Sequence, residues 1–296
     1  MEKLLFLYNP KSGKGAMNEY LSQVVDYYSK KGFLTSIYAT QQAGDGRRKV
    51  MEIGKDFDRI VVSGGDGTLD EIISGSIKAN INPIIGYIPT GSTNDFSVSV
   101  KISDDIEKAI ETSVKDEPLS IDVGKFENKY FIYVAAFGSL AEVSYDTDQS
   151  MKNTIGRLAY VIEGFKSLKN VKSYHMRLNI DGEIIEGDYM VGAITNSVSV
   201  GGFKGITGED VNLSDGLFEV TLVKSTKNII QLNEILNELG NDNTHSDLLV
   251  TRKAKSIKII CDDYVNWTLD GEYGGSLKEC KIDVIKQAAR INTGLK

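Results

Sequence analysis

Short apolar runs alternate with amphipathic stretches over the first 125 residues, and the alternation stops there. Residues 4–8, 34–39, 58–63 and 84–88 have the length and composition of buried strands. Met17, Tyr20, Leu21, Val24, Val25 and Tyr28 recur at helical spacing, and Gly32 supplies a C-terminal stop. Residues 47–55 and 68–79 read as further helices. This order predicts a doubly wound parallel α/β sheet over residues 1–125. From residue 126 to 285 the reading is strands joined by turns, at 130–137, 173–180, 184–187, 190–196, 217–222 and 256–261, interrupted by helices at 155–168 and 226–239. Asp181-Gly182 between two apolar runs is a hairpin signal. Two domains with a cleft between them are expected, with residues 286–296 placed to pack back on the first.

Composition narrows the class. The 296 residues are 41% hydrophobic and 25% charged, as in ordinary globular proteins, and the formal net charge of -7 speaks against nucleic-acid binding, which needs a basic footprint. Cys261 and Cys280 lack disulfide-framework or zinc-ligand spacing, so a reducing cytoplasm fits. The longest apolar run, 130–137, is far short of the ~20 residues that span a bilayer. The first eight residues read as a strand rather than a signal peptide.

Three polar, Gly-containing loops leave the ends of apolar strands. They are Asn9-Pro10-Lys11-Ser12-Gly13-Lys14-Gly15, Gly64-Gly65-Asp66-Gly67-Thr68 and Pro89-Thr90-Gly91-Ser92-Thr93-Asn94-Asp95-Phe96. Open α/β sheets bind ligands at the C-terminal ends of their strands, and glycines let backbone N–H groups approach phosphate at a helix N-terminus. Each loop also reads as a tight turn or helix cap with no ligand, and Asp270-Gly271-Glu272 as a hairpin turn. The first loop is not a Walker A sequence, because it lacks that spacing and the Ser or Thr after Lys14.

Taken in order, these loops make the chain resemble the diacylglycerol kinase catalytic family, in particular the bacterial lipid kinases. Ile121-Asp122-Val123-Gly124, Ser214-Asp215-Gly216-Leu217 and Leu269-Asp270-Gly271-Glu272 extend the resemblance, as do Thr40 and Gly44-Asp45. It implies an N-terminal nucleotide domain, a C-terminal β-sandwich and transfer of the γ-phosphate of ATP to a lipid hydroxyl, diacylglycerol first. It implies contacts to ATP from Asn9, Pro10, Lys11, Ser12, Gly13, Lys14, Thr40, Gly65, Asp66, Gly67, Thr68, Leu69, Asp70, Glu71, Thr90 and Asn94. Asp66 and Asp122 would hold Mg²⁺ near the nucleotide through water, and Glu272 would be the general base. Asp215, with the carbonyls of Asn212 and Leu217, would hold a structural Mg²⁺. Departures from the pattern are Ser97-Val98 for Ala-Arg, Gly46 for Ala, and no Pro before the metal loop.

Such a kinase works at a membrane surface without spanning it. Ile155, Leu158, Ala159, Ile162, Phe165 and Leu168 share a helical face beside Lys152, Arg157, Lys166, Lys169 and Lys172, which fits either docking on the inner face of the membrane or core packing. His175 and His245 have no partner legible in sequence. Other acceptors (phosphatidylglycerol, undecaprenol, a sphingoid base or NAD), a silent lipid-binding protein and a homodimer are left open.

Overall fold

A computed structural model describes residues 1–138, 172–198, 211–226, 228, 230–231, 234–235 and 247–295. The expected helix at 155–168, most of that at 226–239, and His245 lie outside the described residues. The chain forms two compact units, residues 1–121 with 287–296 and residues 122–286.

In the first unit, β1 (Lys3–Tyr8) is followed by α1 (Met17–Lys30), β2 (Leu34–Ala39) by α2 (Asp45–Ile53), β3 (Arg59–Gly64) by α3 (Asp66–Lys78), and β4 (Ile84–Pro89) by the short α4 (Asp95–Ser99) and α5 (Ile106–Thr112). The strands are parallel in the order β2-β1-β3-β4. Parallel strands covered on both faces must be apolar throughout, and Leu4, Leu5, Phe6, Leu7, Ile60, Val61 and Val62 are all at most 1% exposed. α1 buries Met17, Val24 and Tyr28 and ends at Gly32, whose φ of +88° closes the turn. Gly75 brings α3 against α2, where a Cβ would lie 3.2 Å from the Arg47 Cα. Helix α2 starts two residues earlier than expected, because Asp45 is drawn in by its own hydrogen bonds.

The second unit is antiparallel. β5 (Leu119–Phe126) leads into it, followed by β6 (Lys129–Phe131), β7 (Val134–Gly138), β8 (Tyr174–Ile180), β9 (Glu183–Thr195), β10 (Phe218–Lys224), β11 (Leu249–Ala254), β12 (Ser256–Leu269) and β13 (Glu272–Ile291). The order is β11-β10-β9-β7-β12-β13, and β8 bonds β9 and β12 farther along the same two strands. Alternate residues face one core, where Trp267 meets Phe137 at 5.0 Å and Phe126 at 5.1 Å between ring centroids. The last residues of β13 leave this unit for the first, Arg290 and Ile291 pairing in parallel with Ile84 and Ile85.

The apolar run at 130–137, expected as one strand, is broken at Ile132 and Tyr133. The backbone N–H groups there turn to a buried carboxylate, Asp270, instead of a neighbouring strand. Hydrophobicity alone carries no trace of that acceptor.

Candidate active site

Because β1 to β4 run parallel, the loops after them emerge along one edge of the first unit's sheet. Backbone hydrogen bonds stitch each to its neighbour: Asn9 N–H donates to the Ser63 carbonyl at 2.9 Å, Thr40 N–H to Tyr8 at 2.9 Å, and Thr90 N–H to Gly64 at 2.8 Å. The glycines permit closer contact than any side chain would. A Cβ on Gly13, at φ +56°, would lie 2.2 Å from the Thr90 carbonyl oxygen, and one on Gly91 would lie 2.5 Å from the Gly65 Cα. The three expected loops therefore form one interlocked surface. Asn9 closes its own turn, its Oδ1 accepting from Lys11 N–H at 3.0 Å, and Pro10 O accepts from the Asn18 side chain at 3.3 Å. Lys11 and Lys14 are exposed, and Ser12 is half-buried.

Asp66 was expected inside the turn after β3, but it is the first residue of α3 and only 9% exposed. Gly65 takes the N-cap position in an extended conformation, so the helix starts ahead of Thr68. The Asp66 carboxylate accepts the backbone N–H groups of Asp95 at 2.9 Å and Phe96 at 3.4 Å, capping α4. Burial first, then the charge of Asp95, pushes its carboxyl up to about 6. Asn94, at φ +52°, folds its side chain back on Gly91, accepting its N–H at 2.9 Å and donating to its carbonyl at 3.0 Å. Among the other expected contacts, Gly67, Thr68 and Asp70 are half-buried, Thr90 is 6% exposed, and Leu69 is a fully buried core residue.

Glu71 accepts the N–H groups of Gly44 at 2.5 Å and Gly46 at 2.9 Å, so both its oxygens face the loop after β2. Asp45, the first residue of α2 and 3% exposed, accepts from Gln41 N–H at 3.0 Å, from the Tyr38 hydroxyl at 3.0 Å and from Arg48. The Gln41 bond, outweighing burial, holds its carboxyl below the ordinary range. Asp45 had no assigned role in sequence, where Gly44-Asp45 registered only as a motif fragment.

The second unit joins two sequence motifs far apart in the chain. Asp122 is fully buried, its carboxylate accepting Gly216 N–H at 2.6 Å and its own N–H donating to the Leu213 carbonyl at 2.7 Å. Asn196, absent from the expected set, donates from its side chain to the Asp122 carbonyl at 3.0 Å. In the same loop, Asp215 accepts Leu217 N–H at 2.9 Å and the Asn212 side chain accepts Ser214 N–H at 3.0 Å. Among the described residues no three His, Cys, Asp or Glu side chains group to hold a metal, so a cation here needs the carbonyls of Asn212 and Leu217 beside the Asp215 carboxylate. That hard-oxygen set suits Mg²⁺. Glu219 is near enough for Asp215 to add to the rise of its carboxyl, pushed up to about 7 by burial first; its Oε2 is buried without a hydrogen-bond partner, while its Oε1 faces the Lys253 ammonium at 3.4 Å.

Glu272, the expected base, is exposed and opens β13, after a two-residue turn with φ of +49° at Asp270 and +84° at Gly271. The segment is the turn that its residues alone suggested. Asp270, which sequence offered as a turn residue and motif member with no role of its own, is 7% exposed and accepts Ile132, Tyr133 and Val134 N–H at 2.6, 3.0 and 2.9 Å. His175, without a legible partner, has Asp188 at 3.0 Å and Glu186 at 3.4 Å, and these carboxylates, Asp188 foremost, raise it above the ordinary imidazole range.

Residues 3–126 match the family model of the diacylglycerol kinase catalytic domain, and residues 134–291 that of the YegS C-terminal NAD kinase beta sandwich-like domain. The chain is 32% identical over 279 residues to the diacylglycerol kinase of Bacillus subtilis (strain 168), covering 94% of this chain and 92% of that protein. It is 34% identical over 274 residues to that of Staphylococcus carnosus (strain TM300), covering 92% and 89%. A crystal structure of a diacylglycerol kinase from Bacillus anthracis str. Sterne superposes with a TM-score of 0.79 over 99% of this chain and 97% of that one, at 23% identity, and supports the fold.

Proposed function

We propose that the chain, which belongs to the diacylglycerol kinase catalytic family, transfers the γ-phosphate of ATP to the hydroxyl of diacylglycerol, giving phosphatidic acid. The observation that carries this reading is the interlocked surface of the Asn9, Gly64 and Thr90 loops. Backbone groups approach there as closely as glycine allows, as a site for a triphosphate requires.

Phosphoryl transfer asks little covalent chemistry of a protein and much positioning. The lipid oxygen attacks the γ-phosphorus, the bond to the bridging oxygen of ADP breaks with its electron pair on ADP, and the hydroxyl proton passes to the Glu272 carboxylate. The exposure of Glu272 suits a base that meets a large acceptor, and the Asp270 turn fixes its backbone. Asn9 to Lys14, Thr40, Gly65 to Thr68, Asp70, Thr90 and Asn94 line or shape the nucleotide site in this reading, and Leu69 belongs to the core. Asp66 in the first unit and Asp122 in the second, each anchored by backbone N–H groups, are the carboxylates that would hold nucleotide-bound Mg²⁺ in this reading. Mg²⁺ supplies charge neutralisation. A second Mg²⁺ would be held by the Asp215 carboxylate with the carbonyls of Asn212 and Leu217.

Among the described residues no helix is long and apolar enough to cross a membrane, so access to a bilayer lipid is assigned to peripheral docking on its cytoplasmic face. The test is transfer of labelled γ-phosphate from ATP to diacylglycerol, phosphatidylglycerol, undecaprenol, sphingosine and NAD in anionic mixed micelles with Mg²⁺, beside Glu272→Ala. Label in phosphatidic acid, lost in the variant, is the expected result. Label in another acceptor alone moves the assignment there, and none in any acceptor overturns the kinase reading.

A further inference from the structure

Glu71 lies on the second turn of α3 and reaches across to the loop that follows β2. Its two carboxylate oxygens are used separately, Oε1 by Gly44 N–H at 2.5 Å and Oε2 by Gly46 N–H at 2.9 Å. These N–H groups flank the start of α2, where Gly44 stands in the left-handed region at φ +81°. A helix start leaves backbone N–H groups unsatisfied, and a charged acceptor there is worth about twice a neutral one. The loop is gripped from inside as well, Asp45 taking Gln41 N–H at 3.0 Å. Thr40, at its head, is tied back to the Tyr8 carbonyl at 2.9 Å. The carboxylate seat is built around a missing side chain, since a Cβ on Gly46 would lie 2.9 Å from Glu71 Oε2 and 3.2 Å from Ile72 Cδ1.

We infer that Glu71 is a positioning residue that holds the 41–46 loop at the nucleotide edge of the sheet and acts on the nucleotide through that loop rather than by touching it. The inference rests on the proposed kinase reading for its kinetic consequence, whereas its structural content is independent of it. Both carboxylate oxygens accept amides of this segment, so Glu71 faces it, and a nucleotide beside Thr40 would meet a wall that Glu71 has set. Its removal frees the loop without removing a reacting group. The expected signature is weaker nucleotide binding with the chemical step preserved.

The decisive measurement is amide hydrogen exchange at Gly44 and Gly46 in the full chain without nucleotide, for wild type, Glu71→Gln, Glu71→Ala, Gly46→Ala and the Glu71→Ala/Gly46→Ala double variant. Exchange at the two amides should rise about tenfold in Glu71→Ala, and less in Glu71→Gln, which keeps one acceptor oxygen. Gly46→Ala should raise exchange as well by pushing the carboxylate away, and should add less once Glu71 is already alanine, because the clash with Oε2 and the bond are one contact while only the looser one to Ile72 Cδ1 remains. In turnover, KM for ATP should rise about tenfold in Glu71→Ala, with kcat and KM for the lipid within about twofold of wild type. Unchanged exchange at both glycines, or additive effects in the double variant, overturns the inference. A large fall in kcat at unchanged KM for ATP also overturns it, since that marks a group at the reacting atoms. If no acceptor is phosphorylated by the wild type, the kinase reading fails while the exchange data still judge the role of Glu71.

Discussion

Asp270 holds Ile132 by a 2.6 Å hydrogen bond from the backbone N–H to a carboxylate oxygen, and its other oxygen takes the N–H groups of Tyr133 and Val134 at 3.0 and 2.9 Å. One side chain thus breaks a strand that hydrophobicity would have left whole, and anchors the turn from which Glu272 emerges. Asp270→Asn places an amide donor against one of these N–H groups. It should lower stability by about 1–3 kcal/mol, read as a lower urea midpoint at unchanged m-value.

Glu272 is exposed, so Glu272→Gln should leave the thermal midpoint within a degree or two of wild type while kcat falls by about 10²–10⁴. Circular dichroism melting beside turnover separates the two. A shift in the midpoint as large as that of Asp270→Asn would give Glu272 a structural role instead.

Gly13 and Gly91 make contacts no Cβ permits, at 2.2 Å to the Thr90 carbonyl oxygen and 2.5 Å to the Gly65 Cα. Gly13→Ala also meets an unfavourable φ of +56°. Each substitution should weaken nucleotide binding at least tenfold by calorimetric titration. Gly182→Ala is the control, because its φ of +100° costs strain with nothing within 4 Å of the new Cβ. It should destabilise without changing nucleotide affinity.

Asp66 makes stability depend on pH in the sense opposite to a paired carboxylate. Its folded value, raised to about 6 by burial and by Asp95, lies above the unfolded value of 3.8. The folded chain therefore holds the proton more tightly between those values, and this contribution is complete below the unfolded value and lost as pH rises through about 6. Asp66→Asn should flatten that loss, which is about 3 kcal/mol by the size of the displacement. Urea melts of the nucleotide-free chain between pH 4 and 7 measure it, and parallel curves for variant and wild type would contradict it.

Cys261 and Cys280 are buried, and burial pushes the Cys261 thiol up to about 11 and that of Cys280 further still. Neither offers thiolate near neutrality. A chromogenic thiol reagent should react with no thiol of the native chain within minutes and with two after denaturation. Rapid labelling of either in the native state would mean that the β12–β13 core opens readily.

The parallel sheet was legible because burial on both faces leaves continuous apolar runs, as at Leu4 to Leu7 and Ile60 to Val62. The loops were legible because close backbone approach restricts Gly13 and Gly91 to glycine, and such restrictions show as motifs. What hydrogen-bonding partners do was not legible. Asp66 caps α4, Glu71 accepts two amides at the start of α2 and Asp270 breaks a strand, and none of these bonds left a mark in the local pattern.

By itself, then, the sequence determined the fold class, the order of elements from β1 to β4 and the tightest of the positions where chain must meet chain without side chains, since these depend on periodicity and local conformation, whereas it left out β5, β11 and β13 and divided β9 in two. Tertiary structure decided which carboxylate meets which amide. A buried Asp or Glu is defined by the donors around it, and those of Asp122 and Asp270 come from segments 94 and 136–138 residues away in the chain, a separation that no local pattern encodes.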